Sequence, residues 1–299
     1  TLRGDASSQA AVIIGQIRLP RALLAGLVGA ILAMSGAAMQ GLFRNPLADP
    51  SLIGVTAGAS LGASLTIVSI GGTLSGFSGI TLVSAGAFVG GLLAVILVYR
   101  LATSPTGTSV ATMLLAGIAI TALAGAVSNV LEFHANNEML RRISLWRMGG
   151  LDGANYQRLL VAALVGLVVF STLPRFATAL NALLLGESEA RYLGIDIDRI
   201  KMGLVVIVAI GVGASVALAG TIAFVGLVIP HIMRMWIGPD HRKLLPASAL
   251  AGAVLLLLAD TLARIVMAPA ELPVGIVTAI LGVPFFVSLL RQRGHYGMQ

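Results

Sequence analysis

Few side chains in this 299-residue chain could carry covalent chemistry, and their spacing argues against it. Gly76-Phe77-Ser78-Gly79 spells GxSG, a pattern found around intramembrane serine nucleophiles. Such a nucleophile needs a neighbouring base, usually histidine. The histidines are His134, His231, His241 and His295, and only His231 sits within a long apolar stretch. The surrounding GGTLSGFSGI, 71–80, reads as a glycine- and serine-rich turn. No HExxH zinc motif occurs. A phosphate-binding loop needs Gly-Lys followed by Ser or Thr. The only lysines are Lys201, followed by Met202, and Lys243, followed by Leu244. The chain therefore hydrolyses no ATP through such a loop. With no cysteine, disulfides, thiolate catalysis and cysteine-ligated metals are excluded. The expectation is a protein with no catalytic residue, no bound metal and no cofactor.

The remaining polar residues suggest binding rather than catalysis. His231 follows Pro230, and the simplest reading is a neutral imidazole bonded to a backbone carbonyl that the proline frees, rather than a ligand. Asp260 and Arg264 are four apart, the spacing of an ion pair on one helix face; Glu271 lies nearby. The densest cluster is Gly186–Lys201, GESEARYLGIDIDRIK, in a chain where only 10% of residues are charged. A compact island of both signs between long apolar runs reads as a short helix held out of the membrane for a partner, with an ordinary solvated loop as the plainer reading.

The elements that position these residues are set by composition. The chain is 57% hydrophobic, with mean hydropathy +0.97. Residues 22–43, 51–99, 101–131, 202–233, 244–259 and 272–290 contain no Asp, Glu, Lys or Arg. About 20 apolar residues cross a bilayer as a helix, and lipid forces each segment to satisfy its own backbone. The runs are too uniformly apolar for barrel strands. The fold class is all-α and polytopic, with nine spans near 20–43, 51–70, 80–101, 110–133, 157–174, 201–219, 222–237, 244–266 and 272–291, the seventh short and interrupted by Pro230. The 36 glycines suit close helix packing; Gly26 with Ala30 and Gly86 with Gly90 are small residues four apart. Residues 1–299 form a single membrane domain.

Charge sets orientation. With 175–201 in the cytoplasm, the outside still carries Arg3, Arg18, Arg21, Arg141, Arg142, Arg147, Arg158 and Arg264. So many outer arginines imply either the reverse orientation or a task for them. The +7 net charge is dispersed between apolar runs, which points to a lipid bilayer and away from nucleic acid. Nine spans put the termini on opposite sides; one further N-terminal helix would return both to the cytoplasm.

Several blocks resemble one family. QIRLPRALLAGLVGAILAMSGAAMQGLFRNPLADPSLIGVTAGA (16–59), GESEARYLG (186–194), SVALAGTIAFVGLVIPHIMR (215–234), DHRKLLPASALAGA (240–253) and LLADTLARIVMAPAELPVGIVTAILGVPFF (257–286) run in the order found in FecCD-type permeases. These are the membrane subunits of ABC importers for iron chelates and vitamin B12. The resemblance implies ten helices per subunit, the first of them absent here, and a dimer with a second copy of the chain. It implies two ATP-binding cassette subunits in the cytoplasm and a periplasmic substrate-binding protein. It implies the inner membrane as location.

The same resemblance assigns roles. Gly186, Glu187, Glu189, Ala190, Arg191, Leu193 and Gly194 fall on the family's cytoplasmic coupling segment. Arg18, Arg21 and Arg264 match outward arginines that dock the acidic binding protein. The spans 110–133 and 272–291 match the channel-lining helices, which puts Met113, Gly117 and Gly282 on the path. The outer loop reads WRMGGLDGANY (146–156), and its Gly149-Gly150 departs from the Gly-Ser of siderophore members. Haem ranks first as cargo, with Arg141, Arg142 and Arg147 able to attract propionates, a plain solvated face being an equal reading of the three. A ferric siderophore ranks second and cobalamin third. A proton-coupled secondary transporter is the rival from another class.

Overall fold

The computed structural model describes residues 9–70, 77–105 and 107–296. Helix α1, Gln9–Val12, continues through a π-helical stretch, Ile13–Arg18, into α2, Leu19–Leu42. Next come α3 (Val55–Ile70), α4 (Phe77–Ala102), α5 (Val110–His134), α6 (Asn137–Met148), α7 (Tyr156–Thr172), α8 (Ala177–Leu183) and α9 (Glu187–Tyr192). The chain ends with α10 (Ile197–Ala219), α11 (Val225–Ile237), α12 (His241–Ile265) and α13 (Val274–Tyr296). Six stretches are long and apolar enough to cross a membrane, and three shorter helices, in α3, α11 and α13, are also apolar.

Each of the nine expected spans coincides with a helix. The differences lie between them. The 134–156 connection holds amphipathic α6, and 175–201 holds α8 and α9. One two-residue hairpin, β1 (Thr103–Ser104) with β2 (Gly107–Thr108), joins α4 to α5. Of the turn expected over 71–80, residues 71–76 lie outside the described residues, and α4 begins at Phe77. Helix starts follow side-chain caps: Ser109, Asn136, Asn155, Asp196 and Asp240 each accept from a backbone N–H in the first turn. The Asp240 carboxyl is held below the usual carboxylate range by the Asn181 side-chain amide and the Arg242 N–H.

The α11 helix is not interrupted at Pro230, as its sequence suggests; it runs through it. Proline supplies no N–H, so the carbonyl of Gly226, one turn earlier, loses its donor. The Gln40 amide from α2 fills the gap, donating to Leu227 O at 3.1 Å and Gly226 O at 3.5 Å. The Gln40 Oε1 in turn accepts from Arg234 at 2.8 Å.

Helix α2 is the central post, buried along most of its length and packed by α7, α10, α11 and α12. Its approach to α12 requires glycine. A Cβ on Gly29 would collide with the Gly252 carbonyl, and one on Gly252 with the Gly29 carbonyl. Gly86 and Gly90 play the same part between α3 and α4, against Thr66 and the Gly58 carbonyl. Gly26 is different, with only Leu257 Cδ1 in reach, at 3.8 Å. Overpacking costs about 1–3 kcal/mol, whereas alanine in a helix is favoured over glycine by up to ~1 kcal/mol. We therefore predict that Gly29→Ala lowers the thermal unfolding midpoint in detergent and Gly26→Ala leaves it equal or higher. Equal losses for both would show that this helix crossing is not glycine-limited.

Candidate functional site

Three sites are formed by the residues singled out in the sequence. The first lies where α10 begins. Gly186 adopts φ 136°, a conformation that favours glycine, and turns the chain into α9. Ala190 is fully buried beneath this short helix, while Tyr192 is 91% and Leu193 65% exposed. Glu187 reaches back to Lys201, whose ammonium is almost entirely enclosed; the Nζ donates to Glu187 Oε2 at 2.9 Å and to Thr108 O at 2.7 Å. Arg191 pairs with Asp198 at 3.2 Å, and Asp198 accepts from Thr108 N–H at 2.9 Å. Glu189 and Gly194 stay at the surface. The charged island is thus partly consumed in holding itself together, and what it presents outward is a carboxylate, a guanidinium and an apolar knob.

The second site is at the opposite end, one α10 length away, about 35 Å at 1.5 Å per residue. The expected Asp260–Arg264 pair forms, at 3.2 Å. It belongs to a larger cluster. Arg21 donates through Nε to Asp260 Oδ1 at 2.9 Å and through a terminal nitrogen to Glu271 Oε2 at 2.7 Å. Arg21 is only 9% exposed. This differs from the expectation of an outward arginine: two carboxylates supplied by α12 and the 266–273 connection draw the guanidinium inward. Arg18 is exposed and Arg264 half-buried.

The third site is an open groove of about 810 Å³. Thr56, Ala57 and Ser60 of α3 form one wall, Gly117, Ile118, Thr121 and Ala122 of α5 the other, and Thr221–Phe224 with Leu227 a third side. Its surface is mainly aliphatic with scattered hydroxyls. Two charged residues also line it, Asp49 and Arg147; Arg147 is paired with Glu132. This is a size suited to a small-molecule ligand.

The groove places the expected path residues unevenly. Gly117 lines it, but with its Cα against Leu52 O, so closely that a Cβ would collide with that carbonyl. Met113 does not line it; its side chain is fully buried in the core cluster. Gly282 is also turned away, packed so tightly on Phe224 that a Cβ would run into its ring. Helix α13 contributes nothing to the groove lining among the described residues. Large substitutions at Gly117 or Gly282 would distort packing before they blocked anything. His231 has its ring edge-on to Phe285 at 6.0 Å, and Gln40 donates to the carbonyls beside Pro230. Sequence reading missed Phe224, whose φ of 69° turns the chain into α11 beside the groove, and Asp49, whose position before Pro50-Ser51 is a helix-cap signal.

The chain matches the FecCD transport family over residues 1–292. It is 50% identical over 281 residues to the hemin transport system permease HmuU of Yersinia pestis, covering 93% of this chain and 83% of that protein. It is 45% identical over 284 residues to the cobalamin import permease BtuC of Halobacterium salinarum, covering 95% and 74%. Among solved structures, an inward-facing metal-chelate type ABC transporter superposes with TM-score 0.86 at 35% identity, over 94% of this chain and 88% of that one. The fold also matches a chain of PsaBC from Streptococcus pneumoniae, with TM-score 0.63 at 18% identity.

The Arg21 ion cluster yields a direct test. Removing one partner of a buried pair leaves an uncompensated charge and costs about 3–5 kcal/mol, whereas replacing both by apolar groups is often close to neutral. We predict that Asp260→Ala, which leaves the buried Arg21 with Glu271 alone, lowers stability by less than that full cost and that adding Arg21→Met recovers part of the loss, read as unfolding midpoints in detergent. A double variant less stable than Asp260→Ala alone would refute the pairing.

Proposed function

The chain belongs to the FecCD transport family, and on that premise we propose that it carries haem across the membrane as a homodimer driven by ATP hydrolysed on partner chains. It is a permease subunit of an ABC importer and a multi-pass protein of the bacterial inner membrane. The observation that carries the reading is the juxtaposition, in one chain, of a wide open groove with a helix α9 that holds Tyr192 and Leu193 out to solvent. An apolar knob ringed by Glu187, Glu189 and Arg191 suits a cytoplasmic ATPase surface. Arg18 and Arg264, at the other end, suit an acidic substrate-binding protein; Arg21 instead braces the surface on which they stand.

ATP closes two cassette subunits, their motion reaches the permease through α9, and the two copies rock about the groove. The two orientations are states of one equilibrium, biased by a ligand bound to another chain. Weak binding along the path is required so that cargo can leave. The groove meets that need with aliphatic and hydroxyl side chains and only two charged residues. In a two-fold dimer, Arg147 would occur twice along the path, and the haem edge carries two propionates. The 50% identity to a hemin permease supports haem; the 45% identity to a cobalamin permease keeps a corrinoid as the second reading.

The deciding experiment is ATP hydrolysis by the permease reconstituted with its ATPase and binding protein. Haem should stimulate it, and cobalamin or a ferric siderophore should not; stimulation by cobalamin alone would replace the haem reading. Reversing Glu187→Arg and Arg191→Glu together should sever transport from hydrolysis, and unchanged transport would remove the coupling role. Arg18→Glu with Arg264→Glu should weaken binding-protein docking, most strongly at low salt, since close charge pairs set association and its salt dependence. Affinity that does not move would show docking lies elsewhere.

A further inference from the structure

The geometry points to Lys201 as a positioning residue that locks α9, the start of α10 and the 103–108 hairpin into one moving unit, so that a push on α9 is delivered to the first turn of α5. The inference rests on the permease reading. It begins from a residue whose placement is costly. Lys201 is 1% exposed, and a buried ammonium must keep its partners or destabilise the fold. Its partners belong to two other segments: the Glu187 carboxylate at 2.9 Å, on the first residue of α9, and the Thr108 carbonyl at 2.7 Å, at the end of the hairpin.

Asp198, three residues earlier on the same helix, completes the arrangement. It accepts from Thr108 N–H at 2.9 Å and pairs with Arg191 of α9 at 3.2 Å. Both backbone polar groups of Thr108 are therefore held by α10, and both α10 side chains that hold them are also held by α9. The hairpin is fitted to this grip: Gly107 has φ 119°, and a Cβ there would stand 3.1 Å from Asp198 Oδ1. The Thr108 hydroxyl meets those of Thr103 at 3.1 Å and Tyr99 at 3.3 Å, tying the end of α4 into the same knot.

The helix that starts just after Thr108 gives the grip its use. Ser109 is the N-cap of α5, and α5 carries Gly117, Ile118, Thr121 and Ala122 on the groove. A helix transmits displacement along its axis, so moving Thr108 moves that wall. The neighbouring Arg199–Asp196 pair offers a contrast. Its side chains are 83% and 53% exposed, it lies within one helix turn, and it links nothing.

The chain has no cysteine, so Ser104→Cys with Ser188→Cys places one spin label on the hairpin and one on the exposed side of α9 in each copy, and assembly with an excess of unlabelled copies isolates the pair within one copy. In the assembled complex the distance between the labels should be the same in the nucleotide-free and ATP-trapped states. Lys201→Met should broaden that distance distribution and lower the number of cargo molecules carried per ATP by about tenfold or more, the scale of losing one charge-assisted hydrogen bond. Lys201→Arg should restore part of both. A label distance that shifts on ATP trapping in the parent chain would overturn the inference, and so would Lys201→Met with a narrow distribution and unchanged cargo per ATP. The parent measurement needs no change at Lys201, so a Lys201→Met chain that fails to assemble leaves the inference refutable. Parent transport that needs no ATPase would overturn the permease reading and this inference with it. Failure of the label or Lys201 results in a parent that does need ATPase would overturn this inference alone.

Discussion

A backbone carbonyl or amide without a partner is not tolerated in hydrocarbon, and this constraint explains where the chain places its few polar side chains. Where helices are unbroken, no side chain is needed. Where a helical hydrogen bond is missing, a side chain can supply it. Gln40 donates to the α11 carbonyls left short by Pro230. Arg158 of α7 donates to Leu218 O at 3.1 Å, where α10 ends and its last carbonyls lose their helical donors. Outside the lipid the same rule holds for backbone buried in protein: Lys201 donates to Thr108 O, where the hairpin departs from helix altogether. Each of these side chains crosses to a different element, so satisfying the backbone also fixes how elements sit against one another.

The same constraint explains the distribution of charge. The Arg21 cluster joins α2 to α12 and to the chain leading into α13 through two carboxylates on one guanidinium. A buried ion pair contributes little net stability, because desolvation offsets most of the attraction. Its effect is on geometry: the planar fork accepts partners only in fixed directions. The start of α2 is thus held by direction-specific bonds and its middle by glycine contacts with α12.

The apolar runs made the nine helices and their class legible, since hydrocarbon thickness and backbone satisfaction together dictate length and type. The charged island at 186–201 was legible as a short helix for a related reason: charge is so costly in lipid that a dense cluster reads as lying outside it. The path residues were less so. Met113, Gly117 and Gly282 were placed by likeness of spans, yet which face of α5 or α13 turns toward the groove depends on packing against Leu52 and Phe224. No periodicity reveals this in helices that are apolar on every side. Arg21 was misjudged for a similar reason. Its partners lie more than two hundred residues away, and a lone arginine near a span end reads as a surface group until Asp260 and Glu271 are brought beside it. The positive φ of Phe224 has no signature in a stretch without glycine at that position.

Helix α5 stands apart from this frame in the way it is held. At its start it is gripped through Thr108 by residues of α10. Near its end Glu132 pairs with Arg147 of α6, a contact open to solvent on both sides. Between these ends, four of its residues line an open groove. Its other side is packed: Gly117 lies against the Leu52 carbonyl, and Met113, Ala124 and Ser128 are buried. A wall fixed at the end nearer α9, more loosely paired at the other and unfilled along one face has the mechanical character of a lever. On the proposed reading the groove and α9 need no separate line of communication, because the helix bordering the groove begins beside Thr108, which α10 holds through side chains paired with α9.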